Sequence, residues 1–232
     1  MNSSHEVNLR GISSMATRHV LAELSRTCPV VAGVSLQFES VGGVDATRRL
    51  AAGEPFDLVV LDATALAALA QSGHVLPDSL IDFSVSATAV AVHCDATVPD
   101  ISTEAALRAA VLAAKRIGFS SGPSGTALLA LFERWGIAQQ LTDRLVKAPA
   151  GTPVGQLIAE GTVDLGFQQL SEMQGLDGIR ILGLMPAGCE IVTTFSAAMG
   201  ASCQHPEAAR KALAYLASSP QAQAVKQRHG MS

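Results

Sequence analysis

The sequence predicts an α/β protein in two lobes, on three observations. Short apolar runs alternate with helical stretches of roughly ten to fifteen residues, the rhythm of strands joined by right-handed crossovers. There are 20 Gly and only 4% aromatic residues, a composition suited to helices packed closely on a sheet. One extended stretch, residues 84–93, is long enough to leave one sheet and enter another.

Residues 7–12 read as a first strand and 15–24 as a helix entered through Ser13 and Ser14, whose hydroxyls suit an N-cap. Residues 34–39 alternate as a second strand, Gly42 and Gly43 break it, and 45–52 form a helix closed by Gly53. β-Branched residues crowd 57–62, which marks a buried parallel strand, and 63–71 follow as a helix with Gly73 just past its end. Beyond the crossing, 102–113 read as a helix, 115–119 as a strand and 124–135 as a helix entered through the turn 120–125. Residues 152–160 form a helix stopped by Gly161, and 163–167 a short buried strand. A return crossing falls near 189–195. Two helices opened by Pro, 206–217 and 220–229, then pack back on the first lobe. The expected division is lobe 1 over 1–84, lobe 2 over 85–188 and a return segment of lobe 1 over 189–232.

Composition removes several function classes. The 16 Lys and Arg against 20 Asp and Glu leave a net charge of -4, so no basic surface awaits a nucleic acid. The scarcity of aromatic side chains argues against stacking on bases or sugars. Mean hydropathy is high at +0.31. Yet every apolar run is broken before the ~18 residues of a membrane span, so no membrane insertion is expected. The start, from Met1 to Arg10, has no basic stretch leading into an apolar one, which reads as cytoplasmic as given, or periplasmic if the chain is a processed form. Cys28, Cys94, Cys189 and Cys203 lie far apart without C-x-x-C spacing; they read as buried free thiols, and no metal site is expected. Walker, G-x-S-x-G and H-E-x-x-H patterns are absent, and no cofactor is expected.

The informative segments are the turns. In an open α/β sheet, strand-to-helix turns gather at the carboxyl ends of the strands, and that edge is where a ligand sits. The candidates are Ser13 and Ser14, then Gly42 and Gly43, then Asp62 and Thr64, and in the second lobe Ser121, Ser124 and Gly125. Helix starts present amides without intrahelical acceptors, and the helix dipole adds about half a positive charge there. A small anion is the natural guest. Capped helix termini would use the same residue types singly; four such turns in two lobes favour a ligand site.

With those segments in hand, the chain from Val7 to Met231 resembles the molybdate-type periplasmic solute-binding proteins, of the type 2 periplasmic-binding fold. Gly11 to Ser14 looks like that family's first anion loop and Glu39 to Gly43 like its second. The run Gly53, Glu54, Pro55, Phe56, Asp57 is similar to its Gly-x-Pro-x-Asp motif; Ser120 to Gly125 resembles the second-lobe loop, and Gly161 to Gly166 the Gly-x-x-Asp-x-Gly strand. The resemblance implies two lobes, each a mostly parallel mixed sheet flanked by helices, with a ligand cleft between them. It also implies the membrane subunits of an ABC importer as partners. Val44 stands where the family's second loop carries a hydroxyl, and Gln168 and Gln169 stand where molybdate receptors commonly place a Tyr. Arg18, Arg48 and Arg49 stand on the helices after the first two loops, where guanidinium groups would suit a carboxylate. Arg48 is counted among the ligand residues. Some members of this group resemble aconitate isomerase, which implies an alternative: a cytoplasmic, cofactor-independent isomerase of an unsaturated polycarboxylate working by proton transfer. Glu39 and Asp62 are then the candidate bases, with His19 and Glu172 nearby in sequence order.

Overall fold

The computed structural model describes residues 7–232, the side chains of 29–32 excepted. The reading of the chain's start as no secretory leader therefore falls in part on residues 1–6, outside the described residues. In chain order the elements are β1 (Val7–Ser14), α1 (Arg18–Ala32), β2 (Val34–Val41), α2 (Gly43–Ala51), β3 (Leu58–Asp62) and α3 (Ala63–Gln71). Then come β4 (Ile81–His93), α4 (Glu104–Ala113), β5 (Ile117–Phe119), α5 (Pro123–Arg134), α6 (Ala138–Leu141), β6 (Leu145–Lys147), α7 (Val154–Ala159), β7 (Leu165–Gln169) and α8 (Leu170–Met173). The chain ends with β8 (Ile179–Leu184), β9 (Val192–Met199), α9 (Pro206–Ser218) and α10 (Pro220–Arg228).

These elements form two compact units. The first takes in the described residues up to Val85 together with Thr194–Ser232, and the second is Ser86–Thr193. The chain passes between them within β4 and again within β9. In the first unit β1 runs parallel to both β2 and β3, and β3 pairs antiparallel with β9. In the second, β5 runs parallel to β6 and β7, while β4 pairs antiparallel with β7 and β8. The sheets are therefore mixed, because the two strands that carry the chain between units run against their neighbours.

Strand alternation explains the cores. In β3, Leu58 and Val60 face α1, α9 and α10 through Leu21, Leu24, Leu213 and Val225. Val59 and Leu61 face α2 and α3 through Leu50, Leu66 and Leu69. A strand covered on both faces must be apolar at every position, and Leu58 to Leu61 are fully buried. In β4 the same alternation sends Val90 and Val92 to α4 and α5, and Ala89 and Ala91 to α7.

The differences from the expected elements are local. The first helix opens with a 3-10 turn, Met15–Thr17, before α1 begins, and it continues past residue 24 because Leu24 and Cys28, one turn apart, are both buried. β6, β8, α6 and α8 were not anticipated; three of them have only three or four residues, and β8 is largely half-buried, so it shows no clean alternation.

Candidate functional site

In the first unit the three parallel strands end together: Ser13 is in register with Ser40 of β2 and Val60 of β3, and Ser14 with Val41. The turns after β1, β2 and β3 therefore share one sheet edge. Ser13 is fully buried, its Oγ 2.8 Å from Ser40 Oγ and donating to the Ser14 carbonyl at 3.3 Å, so it holds the edge together. Ser14 differs. Its backbone is extended (φ -73°, ψ 158°), its carbonyl accepts from Thr17 Oγ1 at 3.1 Å, and its own hydroxyl is buried without a hydrogen-bond partner among the described residues. Gly42 caps α2 without a side chain, and a β-carbon on Gly42 or Gly43 would meet no atom within 4 Å, so packing does not demand glycine there. What glycine leaves is an approachable backbone. Asp62 Oδ1 accepts the Ala65 amide at 3.0 Å, which makes it the N-cap of α3, and Thr64 is exposed in that helix's first turn.

In the second unit Phe119 is in register with Phe167, so the turn after β5 lies beside the end of β7. A chain of bonds connects them. Ser124 Oγ donates to Gln169 Oε1 at 3.2 Å, which spends its proton. Ser120 Oγ, 2.9 Å from Ser124 Oγ, must then be the donor to it, while accepting from the Gly122 amide at 3.4 Å. Gln169 Nε2 donates to Thr193 Oγ1 at 3.3 Å. Ser120, Ser124, Gln169 and Thr193 are all more than nine-tenths buried. Ser121 is exposed, and Gly125 lies in the first turn of α5.

Several expected participants are held elsewhere. Gln168 and Gln169 point to opposite faces of β7, as neighbours in a strand must. Gln168 Oε1 accepts the Val154 amide at 2.7 Å and caps α7. Arg48 is exposed on α2 and pairs at 2.5 Å with Asp45, one turn earlier; helical geometry carries it away from the edge. Glu39 faces away from Ser40. Its carboxylate takes Arg49 Nη1 at 2.5 Å and Nη2 at 2.9 Å, with Arg10 at 3.5 Å. The Arg49 hydrogen bond, foremost, holds Glu39 below the usual carboxylate range, so it is a poor proton acceptor. Arg49 also binds Glu54, and the Arg10 and Arg49 guanidiniums lie over the Phe56 ring at 4.5 and 5.4 Å. Arg18 Nη2 lies 3.0 Å from His19 Nε2, and the His19 ring stacks on His229 with centroids 6.4 Å apart. Burial first, then the Arg18 charge, pull the His19 pKa down. Glu172 lies in the first turn of α8.

Cys28 and Cys189 are buried free thiols; Cys94 and Cys203, also expected to be buried, are only half-buried. The donor atoms of His93, Cys94 and Asp95 lie within 4.8 Å of one another, but His93 Nδ1 already accepts the Asp95 amide at 3.2 Å. Two surface cavities, of about 250 and 460 Å³, are lined by other residues. Sequence reasoning missed Thr88 and Thr193. For Thr88 a signal was available in part: Ser84, Ser86 and Thr88 alternate along β4, placing hydroxyls on one face of a strand otherwise rich in Val and Ala.

The family model described as bacterial extracellular solute-binding protein matches residues 9–232. The chain belongs to this family. A relative, aconitate isomerase from a Pseudomonas species, is 36% identical over 221 residues, covering 93% of this chain and 84% of that protein. The periplasmic molybdate-binding protein of Azotobacter vinelandii superposes with a TM-score of 0.81 at 19% identity, over 97% of this chain and 98% of its own. A sulfate-binding protein from Mycobacterium tuberculosis gives 0.76 at 16% identity, over 97% and 86%. These two show that the solute-binding chain has the periplasmic-binding fold. Among the described residues, no helix is long and apolar enough to cross a membrane.

Proposed function

We propose that this solute-binding chain captures a small anion, a carboxylate or an oxyanion, on neutral hydroxyl and amide donors at the sheet edge of its units. The observation that carries the reading is the Ser14 hydroxyl, buried and without a partner at the shared end of three parallel strands. A buried donor left unmatched costs about 1–3 kcal/mol, and an anion brings the acceptor it lacks. Backbone amides at Gly42 and Gly43 add to the same edge.

A polycarboxylate of the aconitate type is the favoured guest, since the relative covering 93% of the chain at 36% identity is an aconitate isomerase. Molybdate and sulfate, bound by the two structural neighbours, are the competing guests. A thermal-shift and calorimetric panel of cis- and trans-aconitate, citrate, molybdate and sulfate tests this. A bound anion at 100 times its Kd stabilises the native state by about 2.7 kcal/mol, well within reach of the measurement. Ser14→Ala weakens the response. No shift with any of the panel overturns the reading. Where the chain is exported, the same function implies the membrane subunits of an ABC importer as partners.

The same relative favours a second reading, isomerisation of the bound acid by proton transfer. Glu39 and Asp62 support it poorly, one held by two arginines and the other capping a helix. Incubation with either aconitate isomer in deuterated water separates the two: isomer exchange or deuterium uptake supports catalysis, and an unchanged, undeuterated ligand leaves binding alone.

A further inference from the structure

The bond chain in the second unit has a direction, and the direction says which groups remain to meet a ligand. Ser120 gives its proton to Ser124 and Ser124 gives its own to Gln169, so both serine hydroxyls are spent inside the protein. Gln169 Nε2 carries two protons and places one on Thr193. One amide proton is left over. Thr193 Oγ1 accepts that bond and keeps its own proton.

Thr88 completes the set. It stands directly opposite Gln169 in the antiparallel β4–β7 pair, so their side chains share a face, and directly paired residues hold their β-carbons about 5 Å apart. Its backbone amide donates to the Ile191 carbonyl at 2.8 Å, two residues before Thr193. Thr88 is 1% exposed, and its Oγ1 has no hydrogen-bond partner among the described residues. Its neighbours along the same face are matched or shielded: Ser86 Oγ lies 3.3 Å from Ser171 Oγ, and Val90 is packed in the core. The unmatched hydroxyl therefore falls at the place where Gln169 and Thr193 also have protons to give.

We propose that Thr88, Gln169 and Thr193 form a three-donor cradle for an acceptor oxygen group of the ligand, with Thr88 setting affinity and the two serines only orienting Gln169. The inference rests on the anion-binding reading above and deepens it. It assigns a ligand contact to a residue of the strand itself, outside every strand-to-helix turn.

Calorimetry with the panel anion that the wild type binds best tests it, using Thr88→Val, which keeps the shape and removes the hydroxyl, and Thr88→Ser, which keeps the hydroxyl. Thr88→Val raises Kd about tenfold or more, as loss of a hydrogen bond to a charged group does, and Thr88→Ser stays within about threefold. Melting of the ligand-free proteins supplies the readout that a merely structural role would not give. Thr88→Val melts no lower than wild type, because it removes a buried group with nothing to bond. If Thr88→Val binds as wild type does, or loses affinity only in step with a lowered ligand-free melting temperature, the cradle is overturned while the anion-binding reading stands. If the wild type binds no anion of the panel, both fall.

Discussion

A β-carbon placed on Gly125 would fall 1.9 Å from the carbonyl oxygen of Ser120. The first turn of α5 thus rests on the loop after β5 with no room for a side chain, and this approach is what sets Ser124 within 2.9 Å of Ser120 and within reach of Gln169. Gly125→Ala must push helix and loop apart. The expected loss is about 1–3 kcal/mol of stability, the usual penalty for overpacking, with weaker anion binding because Gln169 loses its support. Melting curves with and without ligand check both parts. A variant as stable as wild type would show that the contact is loose.

The turns were legible in the sequence because Ser, Gly and Asp at strand-to-helix junctions have few other uses, and Ser14, Gly42, Gly43 and Asp62 do share one edge. What each turn residue does was not legible. Asp62 and Ser14 occupy equivalent places, yet one spends its side chain on a cap and the other does not. Adjacent residues on a strand were also indistinct: Glu39 and Ser40, like Gln168 and Gln169, face opposite ways, and only the register decides which joins the hydroxyls of the neighbouring strands. Arg48 and Arg49 differ in the same manner on a helix, the first exposed and the second drawn into Glu39 and Glu54. The Ser124 to Gln169 bond joins residues 45 apart in the chain, a pairing that no local spacing announces. Thr88 was legible only in part: alternation with Ser84 and Ser86 puts it on one face, but a Thr in a strand also reads simply as a strand former.

Glu39 is expected to be dispensable for ligand handling. Its carboxylate is exposed and committed to Arg49 and Arg10, away from the edge marked by Ser14. Glu39→Gln should leave anion affinity, and any isomer exchange, unchanged and reduce stability by less than about 1 kcal/mol, as exposed ion pairs do. The arginine hydrogen bonds lower the pKa of both Glu39 and Glu54 beneath 4.5. The native state then binds fewer protons than the unfolded chain in that range, so the contribution is present above pH 4.5 and is lost as pH falls through the depressed values. Acid melting curves of wild type and variant should converge at low pH, and high salt should shrink their difference.

Lys226 is an ionisable group whose burial carries a cost. It is 1% exposed, with Nζ donating to the Ala217 carbonyl at 3.2 Å and lying 4.6 Å from the Phe83 ring centroid. Burial pulls its pKa from 10.5 down to about 8. Between those values the unfolded chain holds a proton that the native state lacks, so this group makes stability rise with pH from about 8 to 10.5. Below that window both states are charged and the whole penalty is in force. Lys226→Met removes it and should stabilise the protein at pH 7 by about 1–3 kcal/mol, less whatever the ring contact and hydrogen bond contributed. The variant should also lose the rise in melting temperature over the alkaline window. A destabilised variant at pH 7 would show that the contacts outweigh the burial.

Asp62 separates capping from ligand chemistry. Its Oδ1 takes the Ala65 amide at 3.0 Å, at a helix start whose first turn contains no other acidic side chain. Asn caps as well as Asp, whereas Ala leaves the amide unmatched. Asp62→Ala should therefore cost about 1 kcal/mol and Asp62→Asn much less, by thermal melting. A residue that also served as the proton acceptor of an isomerase would break this pattern, because Asn cannot take a proton. If Asp62→Asn keeps both stability and isomer exchange, Asp62 is a cap alone; if it keeps stability while exchange collapses, the carboxylate has a second task that its place at the Ser14 edge would permit.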